Sequence, residues 1–244
     1  MNYRPALNIP PVVKNLILAN VLIFLITMVL EKSGTDIYGF LGLHFPLSEK
    51  FRLHQIFTHM FMHGNITHIF FNMFALYMFG RVLESVWGPK RFLTFYLVTG
   101  LGAAFLHSVV NYFEYASVTS KMQPEQIEYV KEVGYQIWSE GKNFTDPLSR
   151  KLNEILNIPT VGASGAVFGI LLGFGMLFPN TQLMLLFPPI PIKAKYFVIG
   201  YGVLELYLGF SQPGSNVAHF AHLGGMLFGY FMIKYWNKHS QRFY

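Results

Sequence analysis

Cysteine is absent from this 244-residue chain, which excludes disulfides and thiolate chemistry. Charge is scarce: Asp, Glu, Lys and Arg make up 12% of the residues, against roughly 25% in an average soluble domain. With 52% hydrophobic and 17% aromatic residues, that scarcity excludes an ordinary soluble protein and points to a polytopic membrane protein. No aspartate falls inside a long apolar block and no His-Glu-x-x-His occurs, so paired-aspartate and zinc-dependent intramembrane proteolysis lack their essential residues. His54, His59, His63 and His68 share one region, and His59 and His63 have a ligand spacing if that stretch is helical. Without cysteine or a zinc motif the metal alternative is weak, and neither a metal nor another cofactor is expected.

The apolar residues fall into six blocks of about 17 to 23 residues, the length a helix needs to cross ~30 Å of hydrocarbon. They cover about 13–30, 66–83, 92–113, 160–178, 195–211 and 216–236. The expected fold is an all-α bundle of six transmembrane helices, one membrane domain over residues 1–244 with its core at about 13–236. No small-residue cleavage site precedes the first block, which reads as a retained signal anchor.

The net charge of +6 invites nucleic acid as a partner, but its distribution argues otherwise. With the N-terminus inside, the inner segments hold Arg4, Lys14, Arg81, Lys90, Arg91, Lys193, Lys195, Lys234, Lys238 and Arg242 against the single acid Glu84. The outer segments hold eight Lys or Arg and ten Asp or Glu, and Glu205 is left inside a span. This is the positive-inside pattern, with both termini cytoplasmic and membrane lipid as the surrounding partner. No organelle signal is evident, so the plasma membrane is the expected location.

Two outer connections are long. Residues 31–65 mix apolar patches with aromatics and are expected to pack partly into the membrane interface. Residues 114–157 are hydrophilic, with an amphipathic helix expected around 123–138, and are expected to project into water as an insertion.

Spans two, four and six run from outside to inside in this topology, so their first turns share one depth. Those turns carry Thr67-His68-Ile69-Phe70-Phe71-Asn72, Gly162-Ala163-Ser164-Gly165 and Ala218-His219-Phe220-Ala221-His222. At ~100° per residue, His68 and Asn72 share a face of span two. Gly225 and Gly229 smooth the face of span six near His222, while Gly165, Gly169 and Gly173 form a small-residue row on span four. Spans four and six are therefore expected to touch. That row is rotated ~100° to ~180° from Ser164, so periodicity leaves open which neighbour the hydroxyl faces. Taken alone, a serine in such a helix is packing glue. Three polar clusters converging on one layer favour a serine activated by histidine.

Gly162-x-Ser164-Gly165, Ala221-His222-x-x-Gly225-x-x-x-Gly229 and His68-x-x-x-Asn72 together resemble the rhomboid family of intramembrane serine proteases. Thr58-His59-Met60-Phe61-Met62-His63 looks like that family's first outer loop, and Gly80-Arg81-Val82-Leu83-Glu84 like the end of its second span. The resemblance implies Ser164 as nucleophile, His222 as general base and acid, and His68 with Asn72 at the oxyanion site. Its substrates would be transmembrane proteins. Some members have Trp-Arg where this chain has His54-Gln55, and some have Tyr where it has Phe168. Phe168 can still stack on His222 but cannot donate a hydrogen bond.

Glu205 is the only carboxylate inside a span, and nothing in its position indicates that it reaches His222. The expected mechanism is therefore a Ser-His dyad, with Glu205 either held by a structural partner or snorkelling outward. His219 and His63 are read as structural hydrogen-bonders and Glu84 as a satisfied helix-end acid. The runner-up is a non-catalytic relative that binds transmembrane helices, which need not keep Ser164 and His222 together. A transporter ranks third, for want of paired broken helices or a charged pathway. Substrate access is expected beside span five, at the turn-rich connection Ser211-Gln212-Pro213-Gly214-Ser215.

Overall fold

The computed structural model describes residues 9–184, 189–211 and 218–239. Within these residues, helices occupy all six apolar positions. α1 (Pro11–Lys32) is followed in the outer loop by two short helices, α2 (Ile37–Leu41) and α3 (Gln55–Thr58). α4 (Ile66–Ala75), one π turn (Leu76–Gly80) and α5 (Arg81–Trp87) make a continuous rod. α6 (Pro89–Thr119) leads to α7 (Pro124–Ser139) and α8 (Pro147–Asn157), and then come α9 (Ser164–Leu177), α10 (Ala194–Ser211) and α11 (His219–His239). Three helical rods, Pro11–Lys32, Ile66–Trp87 and Pro89–Thr119, are long and apolar enough to cross a membrane, while Ser164–Leu177 is apolar but shorter.

The centre of the bundle is α6, α9 and α11, and glycine sets how closely they approach. A Cβ added at Gly225 would lie 1.8 Å from the Gly165 carbonyl oxygen, and one at Gly165 would lie 2.3 Å from the Ala103 side chain. The expected contact between spans four and six is present, and it is backbone against backbone. Around this seam pack Ile170, Phe92, Phe95, Tyr96, Leu76 and Leu83, all at or near zero exposure. α1 is tied to the bundle by Glu84, whose two carboxylate oxygens accept from the Val12 and Val13 backbone N–H groups at 3.0 and 2.8 Å. These are first-turn donors with no partner inside their own helix, and a carboxylate there also complements the helix dipole.

The insertion carries the amphipathic helix expected around 123–138 as α7, and adds a second helix, α8, that forms a hairpin with it and packs on the C-terminal end of α6. Val130, Leu152, Ile155 and Leu156 join Phe45 and Met122 in a second apolar cluster. The reason is the apolar stripe of α8, which must be covered, and Asp146 starts that helix by accepting from the Ser149 N–H at 2.8 Å. α6 continues six residues past the expected end of span three to support this hairpin. A short antiparallel pair, Gln182–Met184 with Pro191–Lys193, precedes α10 and was not anticipated. The connection proposed for substrate access falls mainly on residues 212–217, outside the described residues.

Candidate active site

Three segments meet around Ser164. The first outer loop is held by Gln55, which is fully buried. Its amide donates to the Gly39 and Lys50 carbonyls at 3.1 and 3.0 Å, and its oxygen accepts from the His44 and Arg52 N–H groups at 3.3 and 3.1 Å. Gln55 stands where some family members have arginine, and this set of bonds provides the loop's anchor. Thr58 Oγ1 donates to the Leu41 carbonyl at 2.6 Å, and Tyr38 donates to the His63 carbonyl at 2.8 Å.

The loop is then stitched to the approach to Ser164. Leu43 and Thr160 exchange backbone hydrogen bonds, and the Gly162 N–H donates to the His59 carbonyl at 2.9 Å. Gly162 has φ +130°, a conformation that favours glycine, and a Cβ there would also meet His68 Nε2 at 2.8 Å. Burial pushes His59 down to about 4, and burial aided by the neighbouring His68 does the same to His63, so both loop imidazoles are neutral near pH 7. His54 Nε2 contacts the Phe40 carbonyl and His59 Nδ1 the Gln55 carbonyl. These two histidines of the suspected metal cluster are thus engaged with backbone.

Ser164 is the first residue of α9, whose opening-turn N–H groups have no acceptor within the helix. Its Oγ lies 2.9 Å from His222 Nε2. This resolves the direction that periodicity left open: the hydroxyl faces α11. Phe168, one turn along α9, lies flat on the His222 ring at 4.1 Å with 6° between planes, which is the stacking expected of a phenyl ring at this position.

Glu205 departs from expectation in one respect. The carboxylate is buried and does not snorkel: it has the structural partner that was one of the two expectations, His219 Nδ1 at 2.7 Å from Oε2, and in addition it reaches His222 Nδ1 at 2.9 Å. The expectation that no acid reaches His222 is therefore corrected. His219 and His222 are three residues apart on α11, so both rings project from one side and one oxygen bridges them. That spacing was visible in the sequence. The facing of α10, which delivers Glu205, was not. Among the described residues, Glu205, His219 and His222 are also the group whose atoms lie close enough to hold an ion, within 4.8 Å of one another, and mutual hydrogen bonding accounts for these contacts.

His68 and Asn72 lie on α4, whose N-cap Asn65 accepts from the His68 N–H at 2.8 Å and so fixes where the helix begins. The His68 ring reaches Gly162, two residues from the serine, and packs edge-on to His63 at 5.0 Å. The Asn72 amide donates to the His68 carbonyl at 2.9 Å, which leaves one of its two N–H groups for another acceptor.

Residues 50–238 match the Rhomboid domain family. Similar proteins include RHOMBOID-like protein 12, mitochondrial, of Arabidopsis thaliana, 32% identical over 71% of this chain and 44% of that protein. Rhomboid protein 1, mitochondrial, of Saccharomyces cerevisiae is 25% identical over 75% of this chain and 42% of its own length. Rhomboid protease AarA of Providencia stuartii is 25% identical over 70% of this chain and 51% of its own length. The chain spans about half the length of these relatives, or less. Two of them are named as mitochondrial, so the comparisons support a membrane protein and lend no support to the plasma membrane in particular.

Proposed function

This chain belongs to the rhomboid family, and from that premise we propose that it is an intramembrane serine endopeptidase with Ser164 as nucleophile and His222 as general base and acid. The observation that carries the reading is the part-buried 2.9 Å contact between Ser164 Oγ and His222 Nε2, made between two helices. A serine hydroxyl is a weak nucleophile until a base accepts its proton, and this contact has the required reach. α9 has 14 residues and so rises only ~21 Å, less than the ~30 Å of hydrocarbon. In the orientation that the positive-inside pattern implies, with the inner end of α9 at the inner interface, that rise leaves Ser164 below the outer interface.

Ser164 Oγ attacks a peptide carbonyl carbon as its proton passes to His222 Nε2. The C–N bond breaks, and the same proton goes to the departing amine. Water then adds its oxygen to the acyl carbon as one of its protons passes to His222, the bond from that carbon to Ser164 Oγ breaks, and the proton returns from His222 to Oγ. The negative carbonyl oxygen of each tetrahedral intermediate is met by the first N–H groups of α9, the remaining Asn72 N–H and the His68 ring. Substrates are transmembrane segments of other membrane proteins. A helical peptide bond is protected by its own hydrogen bonds, so cleavage favours segments that unwind easily through Gly or Ser near the cut. No metal or cofactor is required.

The competing reading is a non-catalytic binder of transmembrane helices, which has no need to hold a serine against a histidine. Purified protein is incubated with a single-span model substrate, alongside Ser164→Ala and His222→Ala. Both variants are expected to melt like the parent and to cleave nothing, and a fluorophosphonate should label the parent on Ser164. Chelator should leave the parental rate unchanged. Cleavage by folded Ser164→Ala, or loss of activity on chelation with recovery in zinc, defeats the proposal.

A further inference from the structure

We propose that Glu205 is a positioning residue for catalysis: its carboxylate holds the His222 imidazole in the tautomer and orientation that let Nε2 accept the Ser164 proton. This rests on the serine-protease reading above and adds a third residue to it. The expected dyad becomes a Ser-His-Glu relay of contacts drawn from three helices, α9, α11 and α10.

The geometry is continuous. Glu205 Oε2 lies 2.9 Å from His222 Nδ1, and His222 Nε2 lies 2.9 Å from Ser164 Oγ, so the two ring nitrogens are engaged on opposite sides. An ionised carboxylate accepts hydrogen bonds and cannot donate, so the nitrogen facing it carries the proton. Nδ1–H on His222 leaves the Nε2 lone pair directed at the serine hydroxyl, as a general base requires. A free neutral imidazole divides between two tautomers, and half of the task of the carboxylate is to remove the unproductive one. The other half is orientation. Phe168 fixes the plane of the ring by stacking on it, and the Glu205 contact fixes its rotation within that plane.

His219 completes the arrangement. Its Nδ1 lies 2.7 Å from the same Oε2, so Glu205 is gripped from two directions and cannot swing away from His222 without breaking a second hydrogen bond. Exposure is 5% for Glu205, 6% for His219 and 8% for His222, so water competes little for these bonds. During attack the Ser164 proton moves to Nε2, the Nδ1 proton stays where it is, and Glu205 faces the resulting imidazolium as a fixed countercharge. No proton reaches the carboxylate. Each step returns the ring to its starting tautomer, because the proton gained at Nε2 is the one given to the leaving amine.

A carboxylate that merely stapled α10 to α11 would alter stability and leave the chemistry of the folded protein alone, so the test separates rate from folding. Full-length parent, Glu205→Gln, Glu205→Asp and Ser164→Ala are purified in detergent, and their melting, kcat and KM are measured on the single-span substrate. Glu205→Gln is expected to lose on the order of 10²- to 10⁴-fold in kcat, with KM within about two-fold of the parent. Glu205→Asp, which keeps the charge on a shorter arm, should recover most of the loss. Folded Glu205→Gln with parental kcat overturns the proposal and leaves Glu205 a staple. If Glu205→Gln does not fold, nitrogen-15 NMR of histidine-labelled parent decides: a His222 ring protonated on Nδ1 supports the role, and one protonated on Nε2 overturns it. Cleavage by Ser164→Ala at the parental rate would instead sink the serine reading itself, an outcome independent of how Glu205→Gln behaves.

Discussion

Adding one methyl group at Gly225 should separate nucleophile from base. The Cβ of Gly225→Ala would lie 1.8 Å from the Gly165 carbonyl oxygen and 2.7 Å from its carbonyl carbon. Both are backbone atoms, so no side chain can rotate out of the way. Restoring an ordinary contact of 3.4 Å requires α9 and α11 to part by about 1.6 Å at this point. Ser164 is the residue before Gly165, and His222 lies three residues before Gly225 on the same helix. Most of that parting is therefore passed to the 2.9 Å Oγ–Nε2 contact, which opens beyond hydrogen-bond reach. A misplacement of this size costs on the order of 10²-fold in rate, and overpacking costs about 1–3 kcal/mol in stability. The control is Gly200→Ala on α10, where a Cβ meets nothing within 4 Å. Cleavage of a single-span substrate, fluorophosphonate labelling and thermal melting are measured on both variants. Gly225→Ala should melt lower, label slowly and cleave poorly, while Gly200→Ala matches the parent. Parental activity and melting in Gly225→Ala would refute the claim that these two backbones set the catalytic distance.

Two further outcomes follow from the outer loop. Gln55→Ala removes four hydrogen bonds, one buried and three part-buried, and leaves the His44 and Arg52 N–H groups without their acceptor, so it should cost about 2–4 kcal/mol, read as a lower melting temperature; unchanged melting would show that the loop is anchored elsewhere. Acid should also destabilise the protein through His63, whose folded value of about 4 lies below the 6.5 of an unfolded histidine. Between these values the unfolded chain binds the extra proton, so stability is full above pH 6.5 and falls as pH drops toward 4, by on the order of 2–3 kcal/mol for this group. His63→Phe should flatten the melting curve measured against pH over that window, and an equal slope in parent and variant would remove His63 as a cause.

How much of this was legible in the sequence depended on whether an interaction ran along one helix or between helices. The meeting of Ser164 with His222 could be anticipated because both stand near the start of apolar blocks that the positive-inside pattern runs in the same direction. Phe168 could be placed against His222 only through the family resemblance, where some members have Tyr at this position. Glu205 could not, because its contact depends on how far α10 is rotated and slid against α11, and no periodicity within either helix encodes that. Gln55 looked like a missing arginine, yet an amide that both donates and accepts can gather four backbone groups where a guanidinium would only donate. α8 was missed because Ser149, Arg150, Lys151, Asn153 and Glu154 surround its few apolar residues, and only its packing on α7 shows that Leu152, Ile155 and Leu156 form a core.

Where α9 crosses α11, two glycines leave no side chain between the strands of main chain that carry the serine and the histidine. On the proposed reading, the spacing of nucleophile and base is thus set first by main chain at this crossing, and Phe168 and Glu205 then orient the imidazole within it. The α7–α8 hairpin, which gathers around its own apolar cluster, can change composition without touching that crossing. On the proposed serine-protease reading, the crossing is where substitution is least tolerated, because any side chain added there meets main chain that cannot rotate aside.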